Sequence, residues 1–248
     1  MSARLRAWFH NSPLAGPAAH AATDGELVTR FADTRDDGAF AELVKRHGPM
    51  VLATCRRVLH PDTHTADDAF QATFVVLAAK AAAVRPPDRV GAFLHGVAVH
   101  VARKAQRWAR KLVSSAPADL DRAPALPDLT DPDAAELRAK IDEVLAGLPP
   151  KYRSAVVLCD LEQRSRAEAA RLLGWTEGAL SGRLARARKL LADRLSRRGV
   201  ALPAVAAGVG VLLPASTALA HVPGALVAST LHAAALVAAG AAAGGEIP

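Results

Sequence analysis

The sequence predicts an all-α protein: two small helical domains joined by a flexible linker, with an Ala-rich extension at the C-terminus. Three observations lead there. Apolar residues recur three and four apart over most of the span 26–191, which is the period of a helix face. Residues 165–191, SRAEAARLLGWTEGALSGRLARARKLL, read as two helices meeting at a tight turn. Charge is also partitioned. Residues 1–111 carry 16 basic and 10 acidic side chains, 112–150 carry 3 and 8, and 151–199 carry 12 and 5. With a net charge of +7 and a pI near 10.0, two basic blocks divided by an acidic one suit two nucleic-acid-facing modules separated by a segment that DNA repels.

The boundaries follow from composition. Residues 1–23 form a mobile N-terminal tail with no continuous apolar core before a cleavage site, so a secretory signal is rejected. The first domain, 24–112, begins with two or three helices carrying Leu27, Val28, Phe31, Phe40, Leu43, Val44, Met50, Val51 and Leu52 inward, broken at Asp36-Asp37-Gly38. His60-Pro61-Asp62 stops them, and Thr65 is the expected cap of a helix starting at Ala66. Asp67, Asp68 and Gln71 fall in its first two turns, where acids complement the helix dipole, and Phe70 and Phe74 lie one turn apart. After Arg85-Pro86-Pro87 comes a helix with Val90, Phe93, Leu94, Val97 and Val101 on one side. Arg103, Lys104, Arg107, Arg110 and Lys111 lie on another, with Trp108 among them. Cations interleaved with an aromatic suit a phosphate backbone and its bases, though a solvated amphipathic helix has the same pattern.

Residues 113–132, rich in Ala, Pro, Asp and Ser, form the flexible acidic linker. The second domain, 133–199, opens with Leu137, Ile141, Val144, Leu145 and Leu148 at helical spacing, and a further helix over 151–161 follows Pro149-Pro150. It ends in the helix-turn-helix. There Ser165 and Glu168 are spaced as a capping box, Gly174 closes the first helix and Thr176 caps the second. A recognition helix enters the major groove through its N-terminal residues, here Glu177, Ala179, Ser181 and Gly182, with the arginines behind them along the groove wall. Residues 200–248 form the extension; 200–245 carry no formal charge. Alanine is barely favourable in lipid, so a loosely packed helical appendage is preferred over membrane insertion.

Cys55 and Cys159 sit in apolar helical patterns and read as buried thiols of a reducing cytoplasm. A hydrolase built on His60, His64, Asp67 and Asp68 is disfavoured, because Pro61 keeps the two histidines off one regular helix face and no further ligand cluster follows. No catalytic residue, metal or cofactor is expected.

The blocks DDAFQATFVVL, GAFLHGVAVHVARKAQR and LAGLPPKYRSAVVLCDLEQRSRAEAARLLGWTEGALSGRLARARKLL resemble, in order and with a linker between, the extracytoplasmic-function (ECF) sigma factors of bacteria. The resemblance covers residues 24–198. It implies a region 2 helical bundle and a region 4 helix-turn-helix, which direct core RNA polymerase to the −10 and −35 promoter elements. It places Asp67, Asp68, Gln71 and Phe74 at the core polymerase contact, and residues 84–93 in the loop that captures a flipped −10 base. It places His100, Arg103, Lys104 and Arg107 on the −10 element, and Ser181, Arg183 and Arg186 on the −35 element. The implied partners are core RNA polymerase and promoter DNA, with room for an anti-sigma factor. Three positions depart from the family's usual residues: Phe93 stands for tryptophan, His100 for asparagine and Ser181 for a cation. A stand-alone helix-turn-helix regulator, binding duplex DNA without polymerase, is the rival reading.

Overall fold

The computed structural model describes residues 22–115, 132–200 and 222–243, and every regular element among them is helical. The tail at 1–21, the linker at 116–131 and the stretches 201–221 and 244–248 of the extension lie outside the described residues.

Helix α1 (Asp24–Thr34) starts in a full capping box, Thr23 and Glu26 exchanging side-chain and backbone bonds, and ends where Arg35 turns left-handed. Asp36 then caps α2 (Asp37–Leu59), so the break at 36–38 is a change of direction between two helices. Helix α3 (Thr63–Lys80) begins earlier than expected. Its cap is Asp62, whose Oδ1 accepts from the Thr65 amide at 2.9 Å, and Thr65 lies in its first turn. Short 3-10 turns at Ala81–Ala83 and Pro87–Arg89 lead into α4 (Val90–Ser115), which continues three residues into the stretch expected to be linker. These helices share one core in which Phe31, Phe40, Phe70 and Phe74 meet. Cys55 is buried there, and burial pushes its thiol up to about 12, which leaves it unreactive.

The second body contains α5 (Pro132–Ala146), α6 (Pro150–Val156) running into a wide π-type turn at Val157–Leu161, α7 (Arg166–Leu172) and α8 (Glu177–Ser196). Its core is aliphatic: Ile141, Leu145, Leu161, Leu180 and Leu191 are enclosed. Asp160 is buried beneath it and accepts from Arg188 Nη2 at 2.8 Å.

The extension supplies α9 (Gly224–Ala243), which lies along α3. Contrary to the loosely packed appendage expected, Leu226, Thr230, Ala234 and Ala238 are buried. Among the described residues no helix is long and apolar enough to cross a membrane.

Candidate nucleic-acid interface

Three surfaces carry the residues singled out in the sequence. On α3, Asp68 is exposed and Asp67 is half-exposed, facing Arg56 at 3.8 Å. Gln71 is half-buried and donates from Nε2 to Ser229 Oγ of α9 at 2.7 Å. Phe74 is 0% exposed, its ring edge-on to Phe40 and 5.0 Å from Phe70 between centroids. It braces α3 from inside and offers no surface of its own.

The loop before α4 folds back on the start of α1. Asp88 sits directly against Gly25, where any side chain would collide with its carboxylate. Burial raises the Asp88 pKa, and Asp24 and Glu26 nearby add to the effect. Thr23, Gly25, Glu26, Arg30, Pro87 and Asp88 line an open groove of about 570 Å³ there. Beyond the loop, His100, Lys104 and Arg107 are exposed on one side of α4, and Trp108, 64% exposed, stands beside them. At 1.5 Å per residue, the stripe from His100 to Lys111 spans roughly 16 Å. Arg103 belongs to the same side but is ion-paired with Glu143 of α5, which also holds Arg198 at 3.4 Å.

The helix-turn-helix forms with the predicted punctuation. Ser165 Oγ accepts from the Glu168 amide at 3.1 Å, Gly174 takes φ +63°, and Thr176 Oγ1 accepts from the Ala179 amide at 3.2 Å. The capping box is half made, because the Glu168 carboxylate pairs with Arg164 at 2.9 Å instead of reaching back. On α8, Leu180, Leu184, Ala187 and Leu191 face inward. The outward ridge is Gly178, Ala179, Gly182 and Ala185, followed by the exposed cations Arg186 and Lys189. So smooth a ridge lets the helix backbone lie close to a groove floor. Ser181 and Arg183 flank it on opposite sides, and Arg183 stacks on Trp175, its guanidinium carbon 3.8 Å from the ring centroid. Arg89, from the loop before α4, lies over the same indole at 5.7 Å.

The sequence reading missed how the two bodies meet. Asp142 of α5, fully enclosed, accepts from Arg57 Nε at 2.6 Å and Nη2 at 3.0 Å, and from His95 Nε2 at 3.0 Å. Burial opposes its charge most, but Arg57 and His95 together outweigh burial and keep the carboxyl below its usual range. Burial pulls the His95 pKa down, so His95 is the neutral donor of the trio. A second knot holds His47 between Glu162 of the second body at 2.7 Å and Asp24 at 3.1 Å, with Arg46 also 3.0 Å from Asp24. Burial of His47 is outweighed by the two carboxylates, which raise its pKa to about 10. The signal available in the sequence was polarity out of place: Asp142 directly follows core residue Ile141, and His95 follows core residue Leu94.

Comparison with known proteins gives the same division. Residues 43–112 match the family Sigma-70 region 2, and residues 138–191 match Sigma-70, region 4. Both matches leave α9 outside. The chain is 33% identical to the RNA polymerase sigma factor CarQ of Myxococcus xanthus, over 61% of this chain and 86% of that one. It is 31% identical to the ECF RNA polymerase sigma factor SigM of Mycobacterium tuberculosis H37Rv, over 71% and 86%. With the ECF RNA polymerase sigma factor SigE of Mycolicibacterium smegmatis it shares 32% identity over 67% of this chain and 66% of that one. Among solved structures, CnrH in complex with the cytosolic domain of CnrY aligns over 70% of this chain and 97% of that one at 27% identity, with a TM-score of 0.33.

Proposed function

The chain belongs to the ECF RNA polymerase sigma factors, which bind core polymerase and direct it to promoters; from that premise we propose how its own surfaces divide the work. The α4 stripe of His100, Arg103, Lys104 and Arg107 takes the −10 element, with Trp108 as a stacking surface for an opened strand. Ser181, Arg183 and Arg186 of α8 take the −35 element. Asp67, Asp68 and Gln71 of α3 take the polymerase, with Phe74 fixing the helix behind them. The carrying observation is that two cationic helix faces stand on two separate bodies of one chain.

Opening a promoter costs a few kcal/mol per unstacked base, which binding of the flipped base and the single strand offsets. No bond is made or broken by the chain itself, so it needs no catalytic residue, metal or cofactor, and it works in the cytoplasm beside polymerase. Each reader alone is weak. Fixed together on polymerase, the second contact becomes intramolecular and the pair becomes selective. A separate anti-sigma protein would act by occupying these same faces.

Run-off transcription with purified core polymerase tests this. Arg186→Ala lowers −35-dependent initiation by about 1–3 kcal/mol in binding while core affinity is unchanged. Asp68→Ala weakens core binding and leaves the DNA-facing helices intact. A footprint from the chain alone, unaltered by polymerase, would show a stand-alone regulator instead.

A further inference from the structure

Helix α9 occupies the side of α3 that carries Gln71. The Gln71–Ser229 hydrogen bond joins the two helices, and Leu226, Thr230, Ala234 and Ala238, one every fourth residue, are buried in the contact. At its foot, Val222 packs over α2: a Cβ on Gly48 would lie 3.2 Å from Val222 Cγ2. The Thr230 hydroxyl is satisfied inside its own helix by the Leu226 carbonyl at 2.6 Å, so the buried row asks nothing polar of α3. The row is mostly small side chains, which bring two helices close but bury little apolar area per residue. Such a contact is closely fitted and carries no charge pair. The outward side of α9 is apolar as well, with Leu236 61% exposed, so this helix is not built only to be a solvated cover.

We propose that α9 is a built-in competitor of RNA polymerase: docked on α3 it covers the Gln71 side of the polymerase-binding face while Asp68 stays open, and polymerase engages the whole face only after α9 lifts. This rests on the assignment of α3 to polymerase. The same closed state engages one cation on each DNA-facing helix, Arg103 by Glu143 and Arg183 by Trp175, while His100, Lys104, Arg107 and Arg186 stay exposed. A chain docked nine-tenths of the time has an apparent core affinity about tenfold weaker than the undocked form, since affinity scales with the competent fraction.

The test uses full-length protein and purified bacterial core polymerase. Ala234→Asp places a carboxylate in the buried row and frees α9; core affinity then rises by about tenfold and run-off output rises with it. A second variant locks the helix: Gly48→Cys with Val222→Cys, made with Cys159→Ser, can form a disulfide at the foot of α9. Its oxidised form binds core at least several-fold more weakly than its reduced form. Equal affinity of oxidised and reduced protein, or of Ala234→Asp and wild type, overturns the competitor while leaving the sigma reading in place. Failure of every form to bind core overturns both.

Discussion

Where α9 meets α3, the contact is a row of Leu226, Thr230, Ala234 and Ala238 with the Gln71–Ser229 hydrogen bond at its edge; where the second body meets the first, one apolar core continues through both and the buried polar groups include Arg57, Asp142, His95, His47, Glu162 and Asp24. One contact is made by fit alone, and the other adds charge balance to a shared apolar core. Apolar contact scales with area and has no proton to gain or lose. A buried charge cluster stabilises little against an apolar replacement of the same shape, yet removing one member is expensive, because its partner is left charged and dry. The α3–α9 contact should therefore weaken in small steps, and the contact between bodies should fail abruptly when its balance is upset. Each is suited to a different kind of release: displacement by a competing surface for α9, and a change of charge for the second body.

The largest expected effect is at Asp142. Asp142→Leu strands Arg57, whose side chain is 8% exposed, and should cost about 3–5 kcal/mol in urea denaturation. Arg57→Leu combined with Asp142→Leu should recover most of that loss, since the apolar pair leaves no charge uncompensated. A single-variant cost under about 1 kcal/mol would mean that Asp142 does not hold the bodies together.

Titration should come next in size. His47 has its pKa raised from 6.5 to about 10, so the stabilisation it brings is complete below pH 6.5 and is lost as pH climbs towards 10. His95 works in the opposite sense: its pKa is depressed, so its contribution is present above pH 6.5 and lost as pH falls below that value. The contact between bodies should be firmest near the crossing of the two and loosen on both sides, no more steeply than about 1.4 kcal/mol per pH unit for one proton. Fluorescence transfer between labels on α2 and α8 would follow it. His47→Gln should flatten the alkaline limb and His95→Gln the acid limb. A profile unchanged by both would remove the histidines from the contact.

How far these contacts could be read in advance differs sharply. The helix-turn-helix was legible except for the Glu168 half of its capping box, which Arg164 takes, because its signals are local: Ser165 and Thr176 cap within three residues, and Gly174 is needed where φ is +63°. The cap of α3 was misplaced by one turn because Asp62 and Thr65 are both good caps, and only the folded loop shows which one begins the helix. Phe74 sits one turn from Phe70 and its core role was open in the spacing; its assigned place in a polymerase contact came from position alone. Arg57 and Asp142 are separated by 85 positions and His47 and Glu162 by 115, so a pattern that identifies buried faces could not name their partners. The row on α9 was hidden for another reason. In a segment that is nearly all Ala, Val, Leu and Gly, no face differs enough from the others to announce which one is buried.

The smallest effects should come from α9 itself, and they separate fit from polarity within that contact. Leu226→Ala removes the largest side chain of the buried row and should cost about 2 kcal/mol, the lower end for a buried leucine because the site lies at an edge that can collapse. That cost should be the same at pH 6 and pH 9, unlike anything measured at the junction of the bodies. Ser229→Ala should cost less still, about 0.5 kcal/mol, because Ser229 is exposed and water can satisfy Gln71 once the hydroxyl is gone. Thermal unfolding of the two variants beside wild type measures both. Should Ser229→Ala prove the costlier, the contact would depend on its hydrogen bond, and α9 would be held by the same kind of one-sided polar dependence that holds the second body.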